Sequence, residues 1–147
     1  MITKAQLESA LKDAMRSGDE VRKTTIRMVL SGIRLAEVEK GGALDETGLL
    51  AVLQKEVKSR RESIADAQRA NRPDLVASSE AEIAVLETFL PKAISSDELD
   101  ALARQVVAEV GATTLREMGQ VMKVLIPRLQ GRATGDQASQ SVRKILQ

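Results

Sequence analysis

The sequence has no cysteine, histidine, tryptophan or tyrosine, and Phe89 is its single aromatic residue. Each absence removes a class of function. Without cysteine there is no disulfide and no thiol nucleophile; without histidine there is no imidazole base, and zinc loses both of its usual nitrogen and sulfur ligands. A protein with no metal and no cofactor is the expectation. With one aromatic ring, the chain cannot build a platform on which single-stranded RNA stacks its bases, so any RNA contact must rest on backbone and shape. No window approaches the roughly 18 consecutive apolar residues that span a bilayer. The start, Met1-Ile2-Thr3-Lys4, runs directly into a polar amphipathic pattern rather than an apolar leader. These features predict a cytoplasmic protein without a membrane contact.

What remains is 147 residues, 43% of them hydrophobic, enough to bury one sizeable core or a core with a small satellite domain. Alternating β-branched and aromatic runs are missing, whereas Ala, Leu, Glu, Arg, Lys and Gln recur at helical spacing, which predicts an all-α fold. Thr3 and Gln6 form a capping box for a first helix that ends at Gly18, and Asp19 caps a second that stops at Gly41-Gly42. On the second helix Val21, Ile26, Met28, Val29, Ile33, Leu35 and Ala36 cover more than half the circumference, which predicts a central position. Asp45 caps a third helix to about Asn71, and Pro73 opens a fourth.

Pro91 and a fresh capping box, Ser95 with Glu98, divide the chain into an N-terminal four-helix domain, 1–92, and a three-helix tail domain, 93–147. The tail helices are expected at about 96–110, at about 115–129 from a Thr114–Glu117 box with Pro127 kinking or fraying it, and at about 136–146 capped by Asp136. Charge is spread unevenly over the two parts. Residues 1–92 carry 15 Lys/Arg and 15 Asp/Glu, residues 112–147 carry 6 and 2, and the last third is therefore locally basic.

Within that last third, Met118-Gly119-Gln120-Val121-Met122-Lys123 joins an amphipathic helix to the glycine-bounded turn Gly131-Arg132-Ala133-Thr134-Gly135-Asp136. Together with Ile94–Leu99 and Val142–Leu146, this segment resembles the tail domain that ends the B subunit of the glutamyl/aspartyl-tRNA amidotransferase. The remainder, including Val21–Met28 and Leu53–Arg61, looks like the YqeY family, small stand-alone relatives of that region, so the resemblance covers essentially the whole chain. It implies tRNA as a partner, met directly or through an amidotransferase or aminoacyl-tRNA synthetase complex. The carbon–nitrogen ligase label of those relatives, with glutamine as amide donor, describes their complex rather than this polypeptide.

The tail residues themselves suggest how RNA would be held. Arg116 and Lys123 lie seven apart and project from one helical face, while Leu115, Met118, Val121, Met122 and Leu125 occupy the other. Gly119, near the core edge, permits close helix packing or the approach of a phosphate backbone. Gly131 shapes the turn, Arg132 sits beside the positive end of the last helix, and Lys144, further along that helix, is a helper cation. The RNA-binding candidates are thus Arg116, Gly119, Lys123, Gly131, Arg132 and Lys144.

Catalytic candidates are weaker. Ser9–Lys12 and Ser141–Lys144 have the spacing at which a lysine activates a serine, but each is expected on a solvated helix face with no oxyanion turn nearby. On the third helix Lys58, Arg61, Arg69 and Arg72 form a basic stripe that Glu–Arg and Lys–Glu pairs four apart partly neutralise, and Arg27 is a candidate partner for Glu80, Glu82 or Glu87. The leading expectation is a non-catalytic tRNA-binding module; the alternative is a protein-interaction adaptor using helices two and three.

Overall fold

The computed structural model describes residues 2–147, and among them it contains helices and no strand: an all-α fold, as the composition predicts. The helices are α1 (Lys4–Ser17), α2 (Glu20–Lys40), α3 (Glu46–Arg69), α4 (Pro73–Glu87), α5 (Ser96–Val110), α6 (Met118–Leu129) and α7 (Gly135–Leu146), with a 3-10 turn at Leu115–Glu117. The backbone groups into two compact units, one ending at Leu90 and the other running Pro91–Gln147.

Local chemistry sets most of the boundaries. The Thr3 hydroxyl accepts from the Gln6 N–H while Gln6 answers with its side chain, and Asp19 and Asp45 cap α2 and α3 in the same sense. Gly18 and Gly41 end α1 and α2 with φ of 75° and 80°, a left-handed turn that costs a residue with a Cβ about 1 kcal/mol. Two expected starts differ. Glu117 does not close a capping box with Thr114; its carboxylate takes the Thr113 N–H and the Thr114 hydroxyl, and the first turn tightens to 3-10 before α6 begins at Met118. The cap of α7 is Thr134 rather than Asp136, because Thr134 and Gln137 form a reciprocal box that places Asp136 inside the first turn.

In the first unit, Leu7, Val29, Ile33, Leu49, Leu53, Val57 and Leu86 form the core, and α2 meets α1, α3 and α4. The glycine that admits close helix packing is Gly32 on α2: a Cβ there would lie 3.2 Å from Val52 Cγ1 on α3. The apolar residues of α2 do not all turn inward, however. Thr25, Ile26, Val29 and Ile33 are buried, whereas Val21, Met28, Leu35 and Val38 are 46%, 48%, 60% and 74% exposed. Three helices cover one side of α2 and leave the rest of its apolar circumference in solvent.

The buried arginine of this unit is Arg60, and Arg27, one candidate for such a role, is exposed. Arg60 Nε donates to Glu82 Oε2 at 2.8 Å, Nη1 donates to Glu56, and Nη2 donates to Met28 Sδ at 3.3 Å. One guanidinium thereby ties α3 to α4 and to α2 in a planar geometry that lysine does not reproduce. Three of the basic residues expected in a stripe on the third helix are met by carboxylates, and one of them, Arg72, lies beyond α3 at the cap of α4. Arg69 contacts Asp66 at 3.1 Å, Arg72 binds Asp74 through two nitrogens, and Arg61 stands 4.0 Å from Glu87. The single aromatic ring is also engaged, since Phe89 lies under the Arg22 guanidinium, 5.0 Å from ring centre to Cζ.

In the second unit, Leu99, Ala103 and Val106 of α5 pack with Val121, Leu125 and Leu129 of α6 and Ala138, Val142 and Leu146 of α7. Leu115, expected in this core, is 46% exposed, because the 3-10 turn rotates it off the α6 stripe. Pro127 stays inside α6, which continues to Leu129.

The Arg60 network yields a stability test. R60A leaves two carboxylates facing each other in a largely buried site and is expected to lower unfolding stability by about 3 kcal/mol. R60M/E56Q/E82Q, which removes the charges together, is expected to recover most of that loss in urea denaturation.

Candidate functional site

The second unit carries the sequence-predicted interface, and its electrostatics are governed by α5. Residues 93–111 hold four carboxylates and one arginine. In the folded unit three of those carboxylates reach the basic residues of the last third. Glu109 binds Arg128, Glu98 stands 3.6 Å from Arg132, and Asp100 Oδ2 accepts from Lys144 Nζ at 3.0 Å. The local excess of positive charge is correspondingly smaller than a count along the chain suggests.

Each nominated residue can be placed. Arg132 Nε donates to the Lys92 carbonyl at 3.1 Å, and its own carbonyl accepts the Ile94 N–H at 3.0 Å, so this residue fastens the entry of the unit to the α6–α7 turn. Gly131 has φ of 76° behind Gln130 at 50°, two left-handed residues in a row that reverse the chain. Lys144 turns to Asp100. Arg116 lies in the 3-10 turn rather than on α6 and is exposed, as is Lys123 on α6. These two do not share one continuous α-helical face.

Lys123 belongs instead to an α6 solvent strip made of Gly119, Gln120, Lys123 and Pro127, opposite the buried Val121, Leu125 and Leu129. Gly119 has no packing role: a Cβ built on it would meet nothing within 4 Å. Pro127 has no N–H to offer the carbonyl four residues back, that of Lys123. The strip therefore presents an ammonium and an open stretch of backbone side by side. Arg143, not singled out from the sequence, is a further exposed cation, on α7.

Between α5 and α7 lies a cavity of about 490 Å³ whose lining includes Asp100, Gln137, Gln140, Ser141, Arg143 and Lys144. Ser141, expected on a solvated face, is 3% exposed. Its hydroxyl donates to Asp100 Oδ1, and Lys144 occupies the other oxygen of the same carboxylate. The Ser141 bond first, and Lys144 second, hold the Asp100 carboxyl below its ordinary value of 3.8. A carboxylate of lowered proton affinity is a poor base for a serine hydroxyl, and Lys144 is directed to the carboxylate and not to Ser141. The Arg128 hydrogen bond, followed by that of Gln105, similarly lowers the Glu109 carboxyl. Among the described residues no cluster of three metal-ligating side chains occurs, and no helix is long and apolar enough to cross a membrane.

Fold and charge layout define an all-helical protein whose small C-terminal unit keeps a few cations uncommitted. The chain belongs to the YqeY family: the family model described as Yqey-like protein matches residues 4–146. It is 38% identical over 109 residues to altered inheritance of mitochondria protein 41, mitochondrial, of Lachancea thermotolerans, a match covering 72% of this chain and 58% of that protein. The protein of the same name from Kluyveromyces lactis is 41% identical over 110 residues, covering 72% and 59%. That of Saccharomyces cerevisiae strain YJM789 is 36% identical over 95 residues, covering 64% and 51%. The matches thus span roughly half to three-fifths of the length of these relatives. Their names place them in mitochondria, which overturns the expectation of a cytoplasmic protein. That expectation rested on the lack of an apolar leader and of a membrane span, and neither feature identifies a compartment.

The sign of the pH dependence follows from the lowered carboxyls. Their contribution is present above the ordinary values of 3.8 for Asp100 and 4.5 for Glu109, and it is lost as pH falls through the lower folded values. D100N/E109Q is expected to reduce stability at neutral pH and to flatten the decline between about pH 5 and pH 2, read from urea midpoints.

Proposed function

We propose that this chain is a non-catalytic helical module that docks tRNA, directly or within an amidotransferase or aminoacyl-tRNA synthetase complex. The observation that carries this reading is the strip on α6, where the uncommitted Lys123 stands beside the open backbone of Gly119. Arg116 supplies a second exposed cation one short turn away in sequence. A duplex corner of tRNA offers phosphates and 2′-hydroxyls to such a surface and asks for no aromatic stacking, which suits a chain whose one ring lies under Arg22. Recognition is of shape more than of base sequence. In this reading Arg132, Gly131 and Lys144 contribute by shaping and holding the turn and α7, with direct phosphate contact secondary, because Arg132 and Lys144 already face carboxylates.

The family membership supports the association with tRNA amidation only at the level of resemblance, and the yeast relatives' names speak of mitochondrial inheritance. Binding to bulk tRNA at two salt concentrations tests the proposal. R116E/K123E is expected to weaken binding alike for most tRNAs and, if each cation neutralises one duplex phosphate, to lower the log–log salt slope by about two. K144E, whose native residue is paired with Asp100, is expected to leave the slope nearly unchanged. Affinity unaltered in R116E/K123E with helicity intact removes the α6 strip as the RNA site.

A further inference from the structure

The solvent-facing side of α2 has a composition unlike an ordinary wet helix face. At 100° per residue, the exposed positions between residues 21 and 38 fall within a sector of about 140°. Every other residue from Arg22 to Glu37 is buried or half-buried. One edge of the sector is the row Val21, Met28 and Leu35, spaced seven apart, with Val38 three further on. Thr24 and Ser31 fill the intervening positions, so the row has the alternating three- and four-residue spacing of a helix-pairing seam. It runs for about 26 Å.

The other edge carries Arg27 and Arg34, both exposed. From Val21 to Val38 the sector contains no carboxylate; Glu20 and Glu39 lie at its two ends, and Glu20 is paired with Lys23. Several cations elsewhere in this unit have acidic partners, including Lys4 with Glu37, Arg60 with Glu56 and Glu82, and Arg72 with Asp74. The pattern is also inverted relative to burial, since α2 buries the hydroxyl-bearing Thr25 while it exposes Met28 and Leu35. Met28 is held in place from below by the buried Arg60, which donates to its sulfur.

We propose that this sector is the docking face for an amphipathic helix of a partner protein, one that presents apolar residues at three- and four-residue spacing and acidic residues along the flank that meets Arg27 and Arg34. Charge complementarity selects that occupant over a second copy of this chain. Antiparallel pairing of two α2 helices brings Arg27 of one against Arg34 of the other, and parallel pairing needs the side of α2 on which Gly32 already approaches α3. The face lies on the first unit, so the inference stands or falls independently of RNA binding by the second.

The probe is a synthetic helical peptide of about 18 residues with Leu and Ile at the seam positions and Glu on one flank, compared with the same peptide bearing Lys in place of Glu. Fluorescence anisotropy with the full chain is expected to give saturable binding of the Glu peptide and at least tenfold weaker binding of the Lys peptide. M28E/L35E is expected to weaken the Glu peptide about tenfold or more, and R27E/R34E to reverse the preference between the two peptides. V38E, at a position 74% exposed, gives a second seam variant that does not touch the contact with Arg60. All three variants leave tRNA affinity unchanged on this account. No saturable binding of the Glu peptide, or binding undiminished in both M28E/L35E and V38E, overturns the proposal. So does a dimer, detected by light scattering, that L35E dissociates, or co-sedimentation with phosphatidylcholine–phosphatidylglycerol vesicles that depends on Met28 and Leu35.

Discussion

Three carboxylates on α5 decide what the second unit can offer to a partner. Glu98, Asp100 and Glu109 take up Arg132, Lys144 and Arg128, three of the six basic residues that make the last third of the sequence positive. Each surface pair adds little to stability alone. Their larger consequence is selection. A cation that already faces a carboxylate gains less from a phosphate, so Arg116, Lys123 and Arg143 become the residues through which the unit can attract an anion.

The same logic runs through the first unit with the opposite outcome. Several of its cations are paired, and Arg60 is buried between two carboxylates where it joins three helices. The pairing leaves Arg27 and Arg34 beside an apolar row on α2. A core built almost wholly from aliphatic side chains on helical stripes has one consequence here. With three neighbours around it, α2 buries only the residues those neighbours reach, and the remaining apolar positions stay at the surface.

Much of this architecture was legible in the sequence because it depends on local signals. Thr3, Asp19, Asp45 and Ser95 cap where their hydroxyls and carboxylates predict, Gly18 and Gly41 end their helices, and Pro73 begins one. The Thr134–Gln137 box was equally legible, and the neighbouring Asp136 obscured it. What local pattern could not give was the pairing of distant charges. Arg60 and Arg27 are both arginines within helical stripes, and only the approach of α4 to α3 puts Glu82 beside one of them. The acidic segment before residue 112 did announce a partner for the basic segment after it, but the identity of each pair depends on how α5, α6 and α7 cross. For Gly119 the sequence allowed two roles, and the open space around it excludes close packing.

The central claim is that charge pairing within each unit leaves two separate faces available, the Gly119–Lys123 strip with Arg116 on the second unit and the α2 sector on the first. Backbone amide NMR of the full chain titrated with bulk tRNA tests it most directly. The account predicts shift changes concentrated at Arg116 to Lys123, with Arg128 and the α2 residues Val21 to Val38 unmoved. Changes centred on Arg128, or spread along α2, would contradict it.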